Sequence, residues 1–237
     1  QSVLIMERAK GMDLEQFSIL KGPLPPRLVV NIAAQMRDIL VAMREFKERD
    51  SAKPIVHGDI KPSNVVIDPE TETVKLIDWG SSVFAQLDTQ GQVVGDSGIS
   101  MMSADHQNTN AKLGDVYFIG EEQLNGSLSS PRFDEQGVAG TLYALASGQS
   151  CRYGTKAIPP SSLGLPIEFA KTMQTMLDDD IQKQRMAGDY FIKQMQTMRH
   201  LVFAEDVWPE HKPQIPVWNH DTDQLIDTVV YTSRKTF

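Results

Sequence analysis

The chain has 237 residues, 41% of them hydrophobic, which is enough apolar sequence to build a well-buried core in one large or two small domains. Its 23 basic and 31 acidic residues give a net charge of −8, which disfavours a general nucleic-acid-binding or anionic-membrane surface. A single cysteine, Cys151, excludes an intrachain disulfide and fits a reducing, cytoplasmic compartment. No apolar stretch is as long as a membrane span. The composition therefore predicts an ordinary soluble globular protein.

The first elements expected along the chain are a short strand, a turn and a long helix. Residues 2–6 are largely apolar and predict a strand, which ends before a turn at Lys10-Gly11. A proline-rich run at residues 22–26 then breaks the chain. Across residues 27–49 the apolar side chains recur at helical spacing, which predicts the longest helix of the first half.

A small hairpin and a long polar loop are expected next. Residues 64–67 form a short stretch that is rich in β-branched side chains, and a turn at 68–70 leads back to residues 74–77. Two paired strands that end on Asp78 are therefore predicted. Residues 81–114 are rich in polar residues and show no apolar period, so we expect a surface loop. This loop is either a functional insertion, which is phosphorylated or docks a substrate, or a surface insertion without a function that the fold tolerates.

The second half of the chain is predicted to be mainly helical. Residues 134–147 combine apolar and small residues, as a helix packed on all sides would. Two further helical patterns cover residues 167–177 and 187–203, and residues 227–232 have the pattern of a short strand. The expected fold class is therefore mainly α, a helical bundle with one small hairpin.

The residues that carry chemistry lie at the two ends of the predicted hairpin. Before it stand His57, Gly58, Asp59, Ile60, Lys61, Pro62, Ser63 and Asn64, and after it Asp78, Trp79 and Gly80. Phosphoryl transfer from ATP needs a carboxylate near the acceptor hydroxyl, a cation near the transferred phosphate and oxygen ligands for Mg²⁺, and all of these occur here. Each residue alone is better explained as solvated surface. The ordered set, however, resembles the catalytic loop and metal-binding motif of the protein kinase family.

The resemblance implies a role for each residue of the set. Asp59 is expected to be the catalytic base, and Lys61 to neutralise charge on the γ-phosphate. Asn64 and Asp78 are expected to bind Mg²⁺, which prefers hard oxygen ligands. His57 is expected to pack under the metal-binding loop. Because a lysine two residues after the base is typical of Ser/Thr kinases, the expected acceptor is a Ser or Thr of a protein substrate.

The start of the chain resembles the hinge that joins the two lobes of a kinase, with Met6 as the gatekeeper. The other nucleotide contacts are expected from Glu7, Ala9, Asp13 and Val66. In kinases, the half of the fold that covers ATP comes before the hinge, and its glycine-rich loop and strand lysine are not found before Met6. We therefore expect a longer chain to supply this half. The alternative is a degenerate kinase that lacks it. Without that half, these residues alone are expected to bind ATP poorly.

The resemblance also implies a domain organisation. Residues 1–13 would hold the hinge and the end of the N-terminal lobe, and residues 14–207 the C-terminal lobe of an α+β kinase-like fold. An activation segment is expected at residues 78–122 within that lobe. Residues 208–237 are expected to form a C-terminal extension for which the resemblance gives no role.

Two family contacts are expected downstream. Residues 114–122 resemble the end of an activation segment, and Glu122 is expected to pair with Arg185 as a buried ion pair. Removal of one partner of such a pair would cost about 3–5 kcal/mol. Asp134 is expected to hydrogen-bond the main chain of the catalytic loop.

The sequence departs from the family pattern at several positions. Gly58 replaces an arginine that receives a phosphorylated residue, so that switch is not expected. Asp115 replaces a threonine and is expected either to pair with Lys61 or to repel the charge of Asp59, which would slow catalysis. Trp79 replaces a phenylalanine and is expected to fill an apolar pocket.

Three functions remain open at this stage. The first is a Ser/Thr protein kinase, and the second is a pseudokinase that serves as a binding or regulatory module. The third is a small-molecule kinase of related fold, against which the Lys61-Pro62 pair and the expected Glu122 and Arg185 contact both argue.

Overall fold

The computed structural model describes residues 7–94 and 114–202, together with the main chain of two strands at 214–219 and 224–230. The predicted strand at residues 2–6, including Met6, lies outside the described residues, as does most of the predicted polar loop. None of the helices in the described part of the chain is long and apolar enough to cross a membrane.

The described residues form six α-helices, more than half of which lie in the second half of the chain. The helices are α1 (Leu14–Lys21), α2 (Pro26–Arg44), α3 (Glu121–Leu124), α4 (Pro131–Ser147), α5 (Ile167–Met176) and α6 (Ile181–Val202). This agrees with the expected mainly helical fold class.

The strands are short and form small antiparallel sheets. They are β1 (Met12–Asp13), β2 (Lys47–Glu48), β3 (Ser51–Ala52), β4 (Ile55–Val56), β5 (Val65–Asp68), β6 (Thr73–Leu76), β7 (Val83–Phe84), β8 (Gln214–Asn219) and β9 (Gln224–Val230). The hairpin β5–β6 carries β1 on its other edge, while β2 pairs with β3, β4 with β7 and β8 with β9. Strand β4 directly precedes the catalytic-loop sequence at residues 57–64, and the hairpin β5–β6 directly follows it.

Helix α4 lies at the centre of the core. Sixteen of its residues, from Pro131 to Ala146, are buried. Helix α2 packs against α4 and α6, and buries residues such as Val29, Ile32 and Met36 completely. A helix buried on every side was predicted from the sequence between residues 134 and 147, and this prediction is confirmed, with a start three residues earlier.

Two predicted helix boundaries were wrong. Helix α2 ends at Arg44 and not at residue 49: Lys47 and Glu48 already form β2, and Arg49 has a φ angle of 48°, which a right-handed helix excludes. Helix α6 begins at Ile181, six residues before the predicted start. The carboxylate of Asp180 accepts hydrogen bonds from the amides of the residues that follow and thus caps this polar first turn.

Candidate active site

The hairpin β5–β6 brings the two ends of the motif together. Its register pairs Val65 with Leu76, and the amide of Ile77 donates to the carbonyl of Asn64 at 2.9 Å. Asn64 immediately precedes β5 and Asp78 follows Ile77, so the two expected metal ligands are attached to neighbouring ends of one rigid element. The predicted hairpin that ends on Asp78 is confirmed.

Asp59 is held by hydrogen bonds on both of its carboxylate oxygens. The side-chain amide of Asn64 donates to the carbonyl of Asp59 at 2.8 Å and to its Oδ2 at 3.0 Å. The main-chain amide of Asp115 donates to Oδ1 at 2.9 Å. The carboxylate is therefore fixed from two directions, by Asn64 in its own loop and by Asp115 in the stretch expected to end the activation segment.

Lys61 lies between two carboxylates. Its Nζ is 3.1 Å from Oδ2 of Asp59 and 3.7 Å from Oδ2 of Asp115. Of the two effects expected from Asp115, the structure thus shows an ion pair with Lys61. The carboxylate of Asp115 also accepts from the amide of Tyr117 at 3.0 Å, which keeps it turned into its own loop.

Asp134 fixes the main chain of the catalytic loop, as predicted. Its carboxylate accepts hydrogen bonds from the amides of His57 at 2.8 Å and Gly58 at 2.9 Å. Burial raises the pKa of Asp134 to about 7, although both amide hydrogen bonds oppose this shift. Gln123, the residue after the expected activation segment, adds a further contact, because its side-chain amide donates to the carbonyl of Gly58 at 2.6 Å.

His57 is a structural residue in this arrangement. It is completely buried, and its Nε2 lies 3.0 Å from the carbonyl of Ile77. Burial lowers the pKa of His57, so the neutral ring is favoured. The ring of Trp79 meets His57 edge to face at 4.9 Å, but Trp79 is 39% exposed. The expectation that Trp79 fills an apolar pocket was therefore wrong.

The expected nucleotide-contacting residues lie beside the same hairpin. Strand β1 pairs with β5, which places Asp13 opposite Val66, and Val66 is buried. Asp13 also caps α1, because its Oδ1 accepts from the amide of Gln16 at 2.8 Å. Glu7 extends to an ion pair with Lys75 on the hairpin.

Ala9 is half-buried between these two positions. Met6 belongs to the same expected set but lies outside the described residues.

The donor set at the hairpin ends fits a Mg²⁺ ion. Asn64 directs its amide nitrogen to Asp59, so its oxygen faces the other way, and Asp78 is exposed. In the described part of the chain no three His, Cys, Asp or Glu side chains form a metal cluster. A metal bound through two protein oxygens and completed by phosphate oxygens and water is the arrangement that Mg²⁺ favours.

The ion pair between Glu122 and Arg185 is present, but it is not fully buried. Arg185 Nη2 lies 2.8 Å from Glu122 Oε1, and the two side chains are 33% and 27% exposed. The predicted pairing is confirmed, whereas the pair is only partly buried and not buried as predicted. Its expected contribution to stability is correspondingly smaller.

Several buried charged residues near the site were not predicted from the sequence. Arg132 and Glu135 on α4 are almost completely buried and form an ion pair at 2.9 Å, and Arg44 on α2 also pairs with Glu135. Arg152 is also buried, and it donates to the carbonyl of Ile119 at 2.8 Å. No local pattern marks Arg132 and Glu135 as buried, because the neighbouring Asp134 and Gln136 give the start of α4 the polar character of a solvated turn.

Comparison with known proteins agrees with this geometry. The family model of the protein kinase domain matches residues 1–159. Serine/threonine-protein kinase PrkC of Bacillus subtilis is 28% identical over 155 residues, which are 65% of this chain and 20% of the relative. Serine/threonine-protein kinase PknL of Mycobacterium tuberculosis is 27% identical over 155 residues, 65% of this chain and 33% of that relative. PknB of the same organism, also a serine/threonine-protein kinase, is 25% identical over 146 residues.

The chain thus spans between 20% and 33% of the length of these curated relatives. The family match covers well over half of the 237 residues. The chain therefore belongs to the protein kinase family.

Proposed function

We propose that this chain provides the larger lobe of a Ser/Thr protein kinase that transfers the γ-phosphate of ATP to a protein hydroxyl. The observation that carries the proposal is the fixed carboxylate of Asp59, which Asn64 and the amide of Asp115 hold next to the cation of Lys61. A carboxylate held in this way is suited to orient an acceptor hydroxyl and accept its proton. The Ser/Thr kinases among the relatives support the same class of acceptor.

Each side chain of the site has a distinct task under this proposal. Asp59 orients the acceptor hydroxyl, and Lys61 places a positive charge where the transferred phosphate gains negative charge. Asn64 and Asp78 hold the metal at the hairpin ends. When bound with ATP, Mg²⁺ neutralises charge on the β- and γ-phosphates.

The nucleotide would lie along the hairpin edge. Under this proposal Val66 contacts the adenine from below, and the main chain of Glu7 and Ala9 meets its edge. One oxygen of Asp13 caps α1, so its other oxygen is the one assigned to the ribose hydroxyls. This assignment follows the family pattern and the position of these residues beside β5.

A pseudokinase is the second candidate, and one observation favours it. Asp115 lies 3.7 Å from the Nζ of Lys61 and competes with phosphate for that cation. A site weakened in this way would still bind a nucleotide and could serve as a regulatory module. The two functions differ in whether phosphate reaches a protein acceptor.

The discriminating experiment uses the natural full-length protein. Phosphate transfer from labelled ATP to a mixed Ser/Thr peptide pool is measured for the wild type, Asp59→Asn and Asp50→Asn. The last variant is a matched control, because Asp50 is exposed in the turn between β2 and β3. We expect a rate at least about 100-fold lower for Asp59→Asn and an unchanged rate for Asp50→Asn. Equal rates for the wild type and Asp59→Asn would contradict the kinase proposal, and ATP binding without transfer in the wild type would support the pseudokinase.

A further inference from the structure

Arg132, at the start of α4, uses its side chain to bind main-chain atoms of two distant segments. Its Nε and Nη2 donate to the carbonyl of Thr89 at 3.2 Å and 2.8 Å. Its Nη1 donates to the carbonyl of Arg185 at 3.1 Å. Since only 5% of Arg132 is exposed, one buried guanidinium connects the first part of the activation segment to the start of α6.

The charge of Arg132 is fixed by acidic partners. Its guanidinium pairs with Glu135 at 2.9 Å and with Asp189 at 2.8 Å, and Arg44 provides a second cation for Glu135. Burial disfavours the charged form of Arg132, but the nearby Glu135 and Asp189 outweigh it and raise the pKa. The side chain is therefore a paired, immobilised cation, not a solvated one.

The other end of the activation segment reaches the same junction. Arg185, whose carbonyl accepts from Arg132, pairs through its own guanidinium with Glu122. The next residue, Gln123, binds the carbonyl of Gly58 in the catalytic loop. The two described ends of the segment are thus connected through Arg132 and Arg185 at the junction of α4 and α6.

Main-chain contacts next to Thr89 strengthen this attachment. The carbonyl of Ser129 accepts from the amides of Gln86 at 2.9 Å and Leu87 at 3.0 Å. The amide of Ser129 donates in return to the side chain of Gln86 at 3.1 Å. Ser129 directly precedes the N-cap of α4 and is completely buried, so the contacts join the segment to the core.

We propose that Arg132 is a positioning residue that holds the activation segment in its active arrangement without a phosphorylated residue. Gly58 supplies no cation for a phosphate, whereas Arg132 already attaches the segment to the core through neutral carbonyl groups. The structural part of this proposal concerns residues 86–94 and 115–123. Its consequence for catalysis rests on the proposed kinase function.

Hydrogen exchange of the natural full-length protein tests the structural part. The variants are Arg132→Lys, which keeps the charge near Glu135 but lacks the planar fork, and Arg37→Lys as the control. Arg37 also donates to a main-chain carbonyl, that of Ile192 at 2.6 Å, but it joins α2 to α6 away from the segment. We expect amide exchange in residues 86–94 to rise about tenfold in Arg132→Lys and to stay unchanged in Arg37→Lys.

A second variant keeps the test decisive if Arg132→Lys loses its cooperative melting transition. Gln86→Ala removes a half-buried contact of the same attachment and leaves the ionic network intact. It is expected to raise exchange in residues 86–94 by a smaller factor, about threefold. Wild-type rates in both folded variants would overturn the proposal. So would exchange in phosphatase-treated wild type as fast as that of Arg132→Lys, because a phosphate would then be the stabilising group.

The catalytic consequence has a separate readout. We expect phosphatase-treated wild type to keep its kcat, and Arg132→Lys to lose about tenfold in kcat without a change in the KM for ATP. The proposed nucleotide contacts lie on the hairpin and on the chain before α1, outside residues 86–94 and 115–123, so a general structural defect would change both parameters. If the wild type transfers no phosphate, the kinase function fails, while the exchange result still decides the role of Arg132.

Discussion

The carboxylate of Asp134 accepts a hydrogen bond from the main-chain amide of Gly58 at 2.9 Å, inside a core that excludes water from both groups. The adjacent amide of His57 binds the second oxygen. The catalytic loop is thus attached to α4, a helix that is buried along almost its whole length. The position of Asp59 therefore depends on a residue 75 positions further along the chain.

The pH dependence of the free energy of unfolding should reveal the raised pKa of the Asp134 carboxyl group. The pKa of Asp134 in the folded protein is about 7, above the ordinary value of 3.8, so the folded state binds more protons than the unfolded state between these two values. Its contribution to the free energy of unfolding must then fall as the pH rises from about 4 to about 7. Denaturant unfolding of the wild type and Asp134→Asn across this range is the measurement. A stability difference between the two proteins that is constant or grows in favour of the wild type would contradict the assignment.

Removal of the ion pair between Glu122 and Arg185 should cost less than a fully buried pair would. Both side chains are about one-third exposed, so we expect Arg185→Ala to lower the free energy of unfolding by about 1–3 kcal/mol and still to fold. A double-mutant cycle with Glu122→Ala isolates the pair, and Lys171→Ala at an exposed position of α5 serves as the control. Complete misfolding of Arg185→Ala, or a coupling energy of zero between Glu122 and Arg185, would contradict the stability loss expected from the partial exposure of this pair.

Replacement of Asp115 should accelerate phosphate transfer. Asp115→Thr removes the carboxylate 3.7 Å from Lys61 but keeps the main-chain amide that binds Asp59. We expect kcat to rise about two- to tenfold, because only the carboxylate of Asp59 then competes with phosphate for Lys61. Asp115→Asn removes the charge but keeps nearly the same side-chain shape, and it should raise kcat by a similar factor. A lower kcat in both variants would mean that the carboxylate itself contributes to the reaction.

Close packing at Gly114 should make this position sensitive to a single methyl group. A Cβ there would lie 2.4 Å from the carbonyl oxygen of Gly58 and 3.1 Å from Oδ1 of Asp59. Gly114→Ala must displace the segment from the catalytic loop, so we expect kcat to fall about tenfold or more. In the control Gly22→Ala the new Cβ meets nothing within 4 Å, and its φ of +75° costs stability only. Equal kcat values for Gly114→Ala and the wild type would contradict the close packing of Gly114 against the catalytic loop.

The sequence was informative where order and spacing carry the chemistry. The hairpin between Asn64 and Asp78 was predictable because β-branched residues flank a turn, and the groups at its ends follow the order of a phosphotransfer site. The contact of Asp134 with the catalytic loop followed from the same family pattern. These features depend on local sequence or on motif order, both of which one chain displays.

The buried ionic contacts were not predictable in the same way. In the sequence, Arg132 and Arg152 are indistinguishable from solvated surface charges, since burial depends on which distant segments cover them. The acceptors of Arg132 are main-chain carbonyls of Thr89 and Arg185, and a carbonyl leaves no signature in the residue type. The polar first turn of α6 was missed because its cap, Asp180, lies within an acidic run that resembled a solvated turn.

The central claim is that Asp59 directs the γ-phosphate of ATP to a Ser or Thr hydroxyl, and the identity of the phosphorylated amino acid tests it most directly. The natural full-length protein is incubated with labelled ATP, Mg²⁺ and an equal mixture of Ser, Thr and Tyr peptides, in wild-type and Asp59→Asn forms. The account predicts phosphoserine and phosphothreonine from the wild type and at least about 100-fold less of both from Asp59→Asn. Phosphotyrosine as the main product, or equal phosphoserine and phosphothreonine from the two proteins, would contradict it.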